Sequence, residues 1–391
     1  MPTQIAAKTK YFTQSVIRTM TRRALAAGAV NLAQGFPDFP APAMLKEAAK
    51  RAIEEDYNQY AVTYGTARLR QAIAAKAAAF NRLKHDPERE ITVTCGSTEA
   101  MIATLLAVIN PGDEVVVFEP FYENYGPDIL IAGATPRYVT LRDPDFAIDP
   151  SELRAAFSTR TKAIIVNTPH NPSGKVFSSE ELELIAELCQ RFDTLAITDE
   201  IYEYITYDDA RHVTLGSLPG MADRTITISG LSKTYSITGW RLAYAMAAPT
   251  LTGAIRQVHD FLTVCAPHPL QEAGALAMNL PESFYADLRD SYARKRATLF
   301  EALSAAGFRC RQPRGAYYIM AELDGMGFAD DVAAANFLLE SGGIAAVPGS
   351  SFFSRPELGR HLLRFTFSKS EETLRQAAAR LALVPDKLRA R

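Results

Sequence analysis

The chain has 391 residues, enough for two or three domains at roughly 100–200 residues each, which excludes a peptide, a disulfide-stapled miniprotein or a lone binding module. Lys and Arg number 42 against 44 Asp and Glu, a net charge of −2, and the isoelectric point is about 6.3, so no basic excess exists to hold nucleic acid or an anionic membrane. From the start of the chain, MPTQIAAKTKYFTQSV lacks the apolar core of a signal peptide. Four cysteines, Cys95, Cys189, Cys265 and Cys310, have no CxxC spacing and suit a reducing compartment, so a cytoplasmic protein is expected. Gly35-Phe36-Pro37-Asp38-Phe39-Pro40 is too rich in Gly and Pro for a helix and is expected to cross the surface to a helix beginning near Pro42.

Short apolar runs then alternate with helix-patterned stretches. Ile91–Thr94, Glu114–Phe118, Thr135–Val139, Lys162–Asn167, Thr194–Thr198, Thr225–Ser229 and Leu242–Met246 read as buried strands. Ser97–Ile109, Tyr122–Ala132 and Ser178–Arg191 read as helices between them. The longest apolar run, Met101–Ile109, is far short of the ~20 residues that span a bilayer. Further on come a helix over Leu280–Ala306, a strand over Ala316–Glu322, a helix over Asp331–Glu340 and a strand over His361–Phe367. The expected fold is α/β: a large domain with a mainly parallel seven-stranded sheet between helices, over 45–275. A smaller α+β domain is expected from an N-terminal arm, 1–44, together with 276–391.

In open α/β sheets, ligands sit at the carboxyl ends of strands. The residues collected there are Cys95-Gly96-Ser97-Thr98-Glu99, Glu119-Pro120-Phe121-Tyr122, Asn167 to Gly174, Asp199-Glu200-Ile201-Tyr202-Glu203, and Ser229-Gly230-Leu231-Ser232-Lys233 with Gly239-Trp240-Arg241 behind it. A Gly-led helix start, an aromatic, an amide, an acid with a phenol, a lysine and an arginine together suit one flat, phosphorylated, cationic aromatic cofactor. The six His show no HxxH or HExxH spacing, so no metal is expected; GxGxxG after a strand and Walker A are also missing.

These motifs carry a resemblance. GLSKTYSITGWRLA, with NLAQGFPDF, NQY, NPSGK, DEIYE and LRFTF in the same order, resembles the pyridoxal-5′-phosphate (PLP) aminotransferases of fold type I, class I/II, from about Asn31 to Leu374. The branch it looks most like contains the kynurenine, glutamine and methionine aminotransferases.

The resemblance implies roles that chemistry supports. Lys233 would bond to the cofactor aldehyde and later act as the base at the substrate Cα, which requires a neutral amine. Asp199 would pair with the pyridine nitrogen, although a strand-end acid is also a common helix cap. Tyr202 and Asn171 would hydrogen-bond the phenolic oxygen. Ile201 and Tyr122 would flank the ring, a core aromatic being the lesser alternative for Tyr122. Gly96, Ser97 and Thr98 open a helix and, with Arg241, would bind the phosphate. Tyr60 would reach the phosphate of a partner subunit, which implies a homodimer. At the position of Gly230 many relatives carry Ser, so Ser229 or Ser232 is expected to replace that hydroxyl.

Arg364, alone in an apolar strand, is costly to bury unless an anion pairs with it, and the resemblance makes that anion the substrate α-carboxylate. Gly35 and Asn171 would line the same place. Tyr318, in Gly315-Ala316-Tyr317-Tyr318, and Phe352-Phe353 either wall the side-chain pocket or pack the core. The expected reaction moves an amino group from an L-amino acid to a 2-oxo acid in two half-reactions. Donors are neutral, aromatic, sulfur-containing or glutamine-like unless Arg18, Arg22 or Arg23 reaches the pocket, in which case aspartate is favoured. The alternative on the same scaffold is β-elimination from cysteine S-conjugates. A regulator with a captured domain of this kind would carry a basic helix-turn-helix module ahead of it.

Overall fold

The computed structural model of the chain describes Ala6, Thr9, Lys10, Phe12 and residues 14–390. Seven strands form the central sheet in the spatial order Ile91–Thr94, Ala243–Met246, Thr225–Gly230, Leu195–Asp199, Thr161–Asn167, Glu114–Glu119, Thr135–Thr140. Ala243–Met246 runs antiparallel to both neighbours, and the other pairings are parallel. The expected seven-stranded, mainly parallel sheet is therefore present.

Its strands are apolar runs because both faces are covered. Along Thr161–Asn167, Ala163 and Ile165 pack with Met101, Ile129 and Ile255 on one face. Ile164 and Val166 pack with Leu182, Ile185 and Leu188 on the other. The helix after this strand begins where its sequence asks: the Ser178 side chain accepts from Glu181 N and the Glu181 carboxylate accepts from Ser178 N, a capping box.

A second core joins the two ends of the chain. Ile17, Met20, Ala24, Val30 and Leu32 pack with Tyr292, Phe308, Tyr317, Phe365 and Leu374. Val30–Asn31 pairs in parallel with Ile344–Ala345, and Thr366 N donates to Leu32 O. Tyr318–Glu322 and Leu362–Thr366 pair antiparallel at the centre of a four-stranded sheet here.

Three expectations need correction. The helix expected from Tyr122 begins at Tyr125, leaving Tyr122 in the connection after the cis Glu119-Pro120 peptide. The helix expected over Asp331–Glu340 is α-helical to Phe337 and closes with a π-turn over Leu338–Gly342. The helix Val16–Ala26 has no counterpart among the sequence-based elements; Ser15 caps it and Ile17, Met20 and Ala24 form its buried stripe.

The turn after Leu195–Asp199 is fixed from behind by a buried polar network. Lys76 Nζ lies 2.5 Å from Glu203 Oε1 and 2.8 Å from Asn81 Oδ1, with both charged side chains nearly inaccessible. Glu203 also accepts from Ser229 and Asn81. Burial alone would raise its pKa, but Lys76, then His212 and Asn81, bring it below the ordinary carboxylate value. Glu200 accepts from Thr198 and Thr214 and lies 2.7 Å from His212 Nε2. Removing one partner of a buried pair strands the other charge. Lys76→Met is expected to lower unfolding free energy by about 3–5 kcal/mol. Urea denaturation checks this; a loss under about 1 kcal/mol would contradict it.

Candidate active site

At the carboxyl end of the sheet lies a pocket of about 260 Å³. Gly35, Ser97, Thr98, Tyr122, Asn171, Asp199, Ile201, Tyr202, Lys233, Arg241 and Arg364 all line it, drawn from seven separate segments of the chain. A larger groove, about 800 Å³, runs past Phe146, Phe177 and Met320 and holds none of the expected site residues.

Lys233 follows the strand Thr225–Gly230 and points inward, its Nζ donating to Gly35 O at 3.3 Å. Desolvation and then the Arg241 charge bring its pKa down from 10.5 to about 8; Asp199 opposes that fall, and Arg364 adds a smaller push the same way as Arg241. The same lysine on the surface would be almost fully protonated at neutral pH.

Asp199 ends its strand and is buried. Burial raises its pKa, and hydrogen bonds from Tyr125 and from Ile201 N oppose that rise. The Tyr125 hydroxyl donates to Asp199 Oδ2 at 2.7 Å, and Ile201 N donates to Oδ1 at 3.3 Å. Burial holds the Tyr125 phenol well above its ordinary pKa, so it stays a donor. Sequence reasoning passed over Tyr125. The available signal was that a buried tyrosine hydroxyl finds a polar partner; which partner is decided by tertiary packing.

At the phosphate end, Gly96 precedes the helix Ser97–Val108 with φ +85, and a Cβ there would overlap the Arg241 guanidinium. Arg241 itself has φ +55, a conformation that a non-glycine residue keeps only when its surroundings impose it. The Gly230 departure has a steric cause: a Cβ there would lie 2.8–2.9 Å from Ala243 and the Leu242 carbonyl. Of the two proposed substitutes, Ser232 lines the pocket. Ser229 does not; its hydroxyl is turned to Glu203 at 2.6 Å.

Arg364 is the most enclosed of the charged groups. Its Nη1 donates to Asn171 Oδ1 and its Nη2 to Ala33 O, each at 2.8 Å. Its plane lies over the rings of Tyr318 and Phe352, at 4.4 and 4.8 Å. Its Nε is buried without a partner, and among the described residues it forms no ion pair. Asn171 is thus engaged by Arg364, and its N–H donates to Asn167 Oδ1. The Tyr202 hydroxyl lies 3.0 Å from that of Tyr318.

The remaining expectations divide. Tyr318 lines the pocket. The Tyr317 hydroxyl donates to Gly35 O, and Phe352 packs under Arg364; neither these two nor Phe353 lines the pocket. Tyr60 is 80% exposed and lies outside the pocket of its own chain. Of the N-terminal arginines, Arg18 lines the pocket, whereas Arg22 bonds Thr19 and Arg23 bonds Asn336 and Glu340.

A withdrawn lysine beside an acid, a phosphate-sized cradle and a buried guanidinium lacking its anion fit pyridoxal phosphate and an amino acid. The comparisons agree: the aminotransferase class I and II family matches residues 27–381, and the chain belongs to that family. The chain is 38% identical over 387 residues to the probable N-succinyldiaminopimelate aminotransferase DapC of Mycobacterium tuberculosis, covering 96% of this chain and 97% of that one. It is 35% identical to the methionine aminotransferase of Escherichia coli, over 90% and 91% of the two chains. The solved M. tuberculosis N-succinyldiaminopimelate aminotransferase superposes with a TM-score of 0.95 at 38% identity, over 97% of this chain and all of that one. Members of this family use pyridoxal 5′-phosphate. No described helix is long and apolar enough to cross a membrane.

The lysine makes a pH prediction. Only the neutral amine attacks an aldehyde. Covalent capture of pyridoxal phosphate by the apoprotein, followed by absorbance, is therefore expected to quicken as pH rises and to level off above about 8. A rate that keeps climbing to the ordinary lysine value, 10.5, would contradict the withdrawn environment.

Proposed function

We propose that the pocket residues carry the family's amino transfer in the following roles. Bound pyridoxal phosphate supplies a sink for the electron pair released at the substrate Cα. Arg241, with Ser97, Thr98 and the helix start behind Gly96, holds the phosphate. Asp199, oriented by Tyr125, faces the ring nitrogen and favours its protonated form. Tyr122 and Ile201 confine the ring, and Tyr202 with Asn171 serves its phenolic oxygen. Arg364 binds the α-carboxylate, with Gly35 and Asn171 beside it. Lys233 Nζ takes the proton from Cα and returns one. The observation that carries this reading is the Arg364 Nε, a buried donor with no acceptor among the described residues.

We also propose a cytoplasmic homodimer with Tyr60 contributed across the interface. Supporting it, Tyr57, Tyr60, Val62, Phe261, Leu262 and Val264 are exposed large apolar residues on segments beside the pocket, and Phe261 is 92% exposed. The two cores support a division into 45–275 and 1–44 with 276–391.

Amino transfer and β-elimination use the same groups, and no observation here favours elimination. Holoenzyme given an amino donor is expected to form oxo acid only when a second 2-oxo acid is supplied, with turnover in Lys233→Ala reduced by about 10⁴-fold or more. Release of pyruvate and ammonia from a cysteine S-conjugate without acceptor, at a rate above that of transfer, would overturn the assignment.

A further inference from the structure

Five successive backbone carbonyls of the N-terminal segment are engaged around the pocket. Leu32 O accepts from Thr366 N, and Ala33 O from Arg364 Nη2. Gly35 O accepts from the Tyr317 hydroxyl and from Lys233 Nζ. The two carbonyls that flank it, Gln34 O and Phe36 O, accept from a single side chain, Lys369 Nζ, at 3.1 and 3.0 Å. The same ammonium lies 4.2 Å from the centre of the Phe36 ring. Lys369 does not line the pocket and has no task in the scheme above.

Lys369 is 2% exposed, and among the described residues it makes no ion pair. Burial brings its pKa down from 10.5 to about 8, with Asp38 opposing. The Asp38 carboxylate is committed elsewhere, accepting from Ser370 N and from the Thr373 hydroxyl. A cation buried against two neutral carbonyls is costly, and what this one holds is the backbone on either side of Gly35. In a trans peptide the C=O and N–H point opposite ways, so the grip on Gln34 O sets the direction of Gly35 N–H. That N–H has no acceptor among the described residues, and Gly35 lines the pocket. A second buried lysine gives the contrast. Lys295 lies 3.6 Å from the centre of the Phe39 ring, on the same segment, but among the described residues it makes no hydrogen bond.

Resting on the reading that Arg364 takes the substrate α-carboxylate, we propose that Lys369 is a positioning residue for that subsite. By holding the carbonyls on both sides of Gly35 it fixes the peptide wall beside the carboxylate. The adjacent peptide carries Ala33 O, the acceptor that orients Arg364, so both sides of the subsite are tied to one ammonium. The grip consists of two hydrogen bonds and depends on the donor, not on the bulk of the side chain. Lys295 fills space under the same segment without directing any of its carbonyls.

The test measures binding of valerate, a carboxylate without an amino group, to the holoenzyme by calorimetry, with melting temperature read alongside. Lys369→Met keeps the bulk and removes the donors. It is expected to weaken valerate binding about tenfold, the scale of one charge-assisted hydrogen bond, and in turnover to act mainly through KM. Lys369→Arg, a cation that can span two carbonyls, is expected to recover most of that loss. Lys295→Met is expected to leave valerate binding within about twofold of wild type even where melting falls. If Lys369→Met does not fold, Lys369→Gln, with a shorter uncharged donor, takes its place under the same expectations. Valerate affinity unchanged in the position-369 variant, with or without a lower melting temperature, would overturn the proposal, as would an equal loss in Lys295→Met. Failure of the underlying reading shows separately, in the wild type. Valerate bound there no more tightly than pentanamide, its uncharged counterpart, would remove the carboxylate role of Arg364 and this proposal with it.

Discussion

The arrangement depends on a guanidinium buried without an anion. Arg364 lies in a buried strand of Leu, Phe and Thr, and its hydrogen bonds go to a neutral amide and a backbone carbonyl. Three stretches of chain meet at this side chain: the strand Leu362–Thr366, the loop after Thr161–Asn167, and the N-terminal segment through Ala33. Two aromatic faces shield it. A charge so placed is expensive until an anion arrives, which makes the carboxylate of the ligand part of the electrostatics of the site. The same charge adds a small push to the lowering of the Lys233 pKa that burial and Arg241 begin.

The turn 199–203 shows how the site is kept in place. Its residues divide between two sides: Asp199, Ile201 and Tyr202 line the pocket, while Glu200 and Glu203 enter the network of Lys76, Asn81, His212 and Thr214. One short segment thus presents side chains to the pocket and anchors itself with charge on its far side. Glu200 directly follows Asp199 and Glu203 lies four residues on, so the position of the Asp199 carboxylate is coupled to a buried ion pair.

Much of this was legible before any coordinates. The seven strands were readable because a sheet covered on both faces needs unbroken apolar runs, and boundaries differed by one or two residues where capping decided them. The lysine, the strand-end acid and both arginines were legible because their motifs occur in one order along the chain. Other features depend on packing. The helix Val16–Ala26 has only Ile17, Met20 and Ala24 as a buried stripe, too thin a signal amid three arginines. The direction of Ser229, turned to Glu203, follows from which face of its strand meets Lys76. Tyr125 reads as an ordinary core aromatic until its hydroxyl is seen on Asp199. Phe352 was a candidate wall, yet it serves the site indirectly, as the surface on which Arg364 rests.

The central claim is that Lys233, its pKa lowered by burial and neighbouring cations, is the residue that joins this chain to pyridoxal phosphate. Borohydride reduction of the holoenzyme, followed by proteolysis and mass mapping, tests it most directly. The account predicts one pyridoxyl group per chain, on the peptide containing Lys233. A stoichiometric tag on any other lysine, or a holoenzyme whose cofactor is released unreduced, would contradict it.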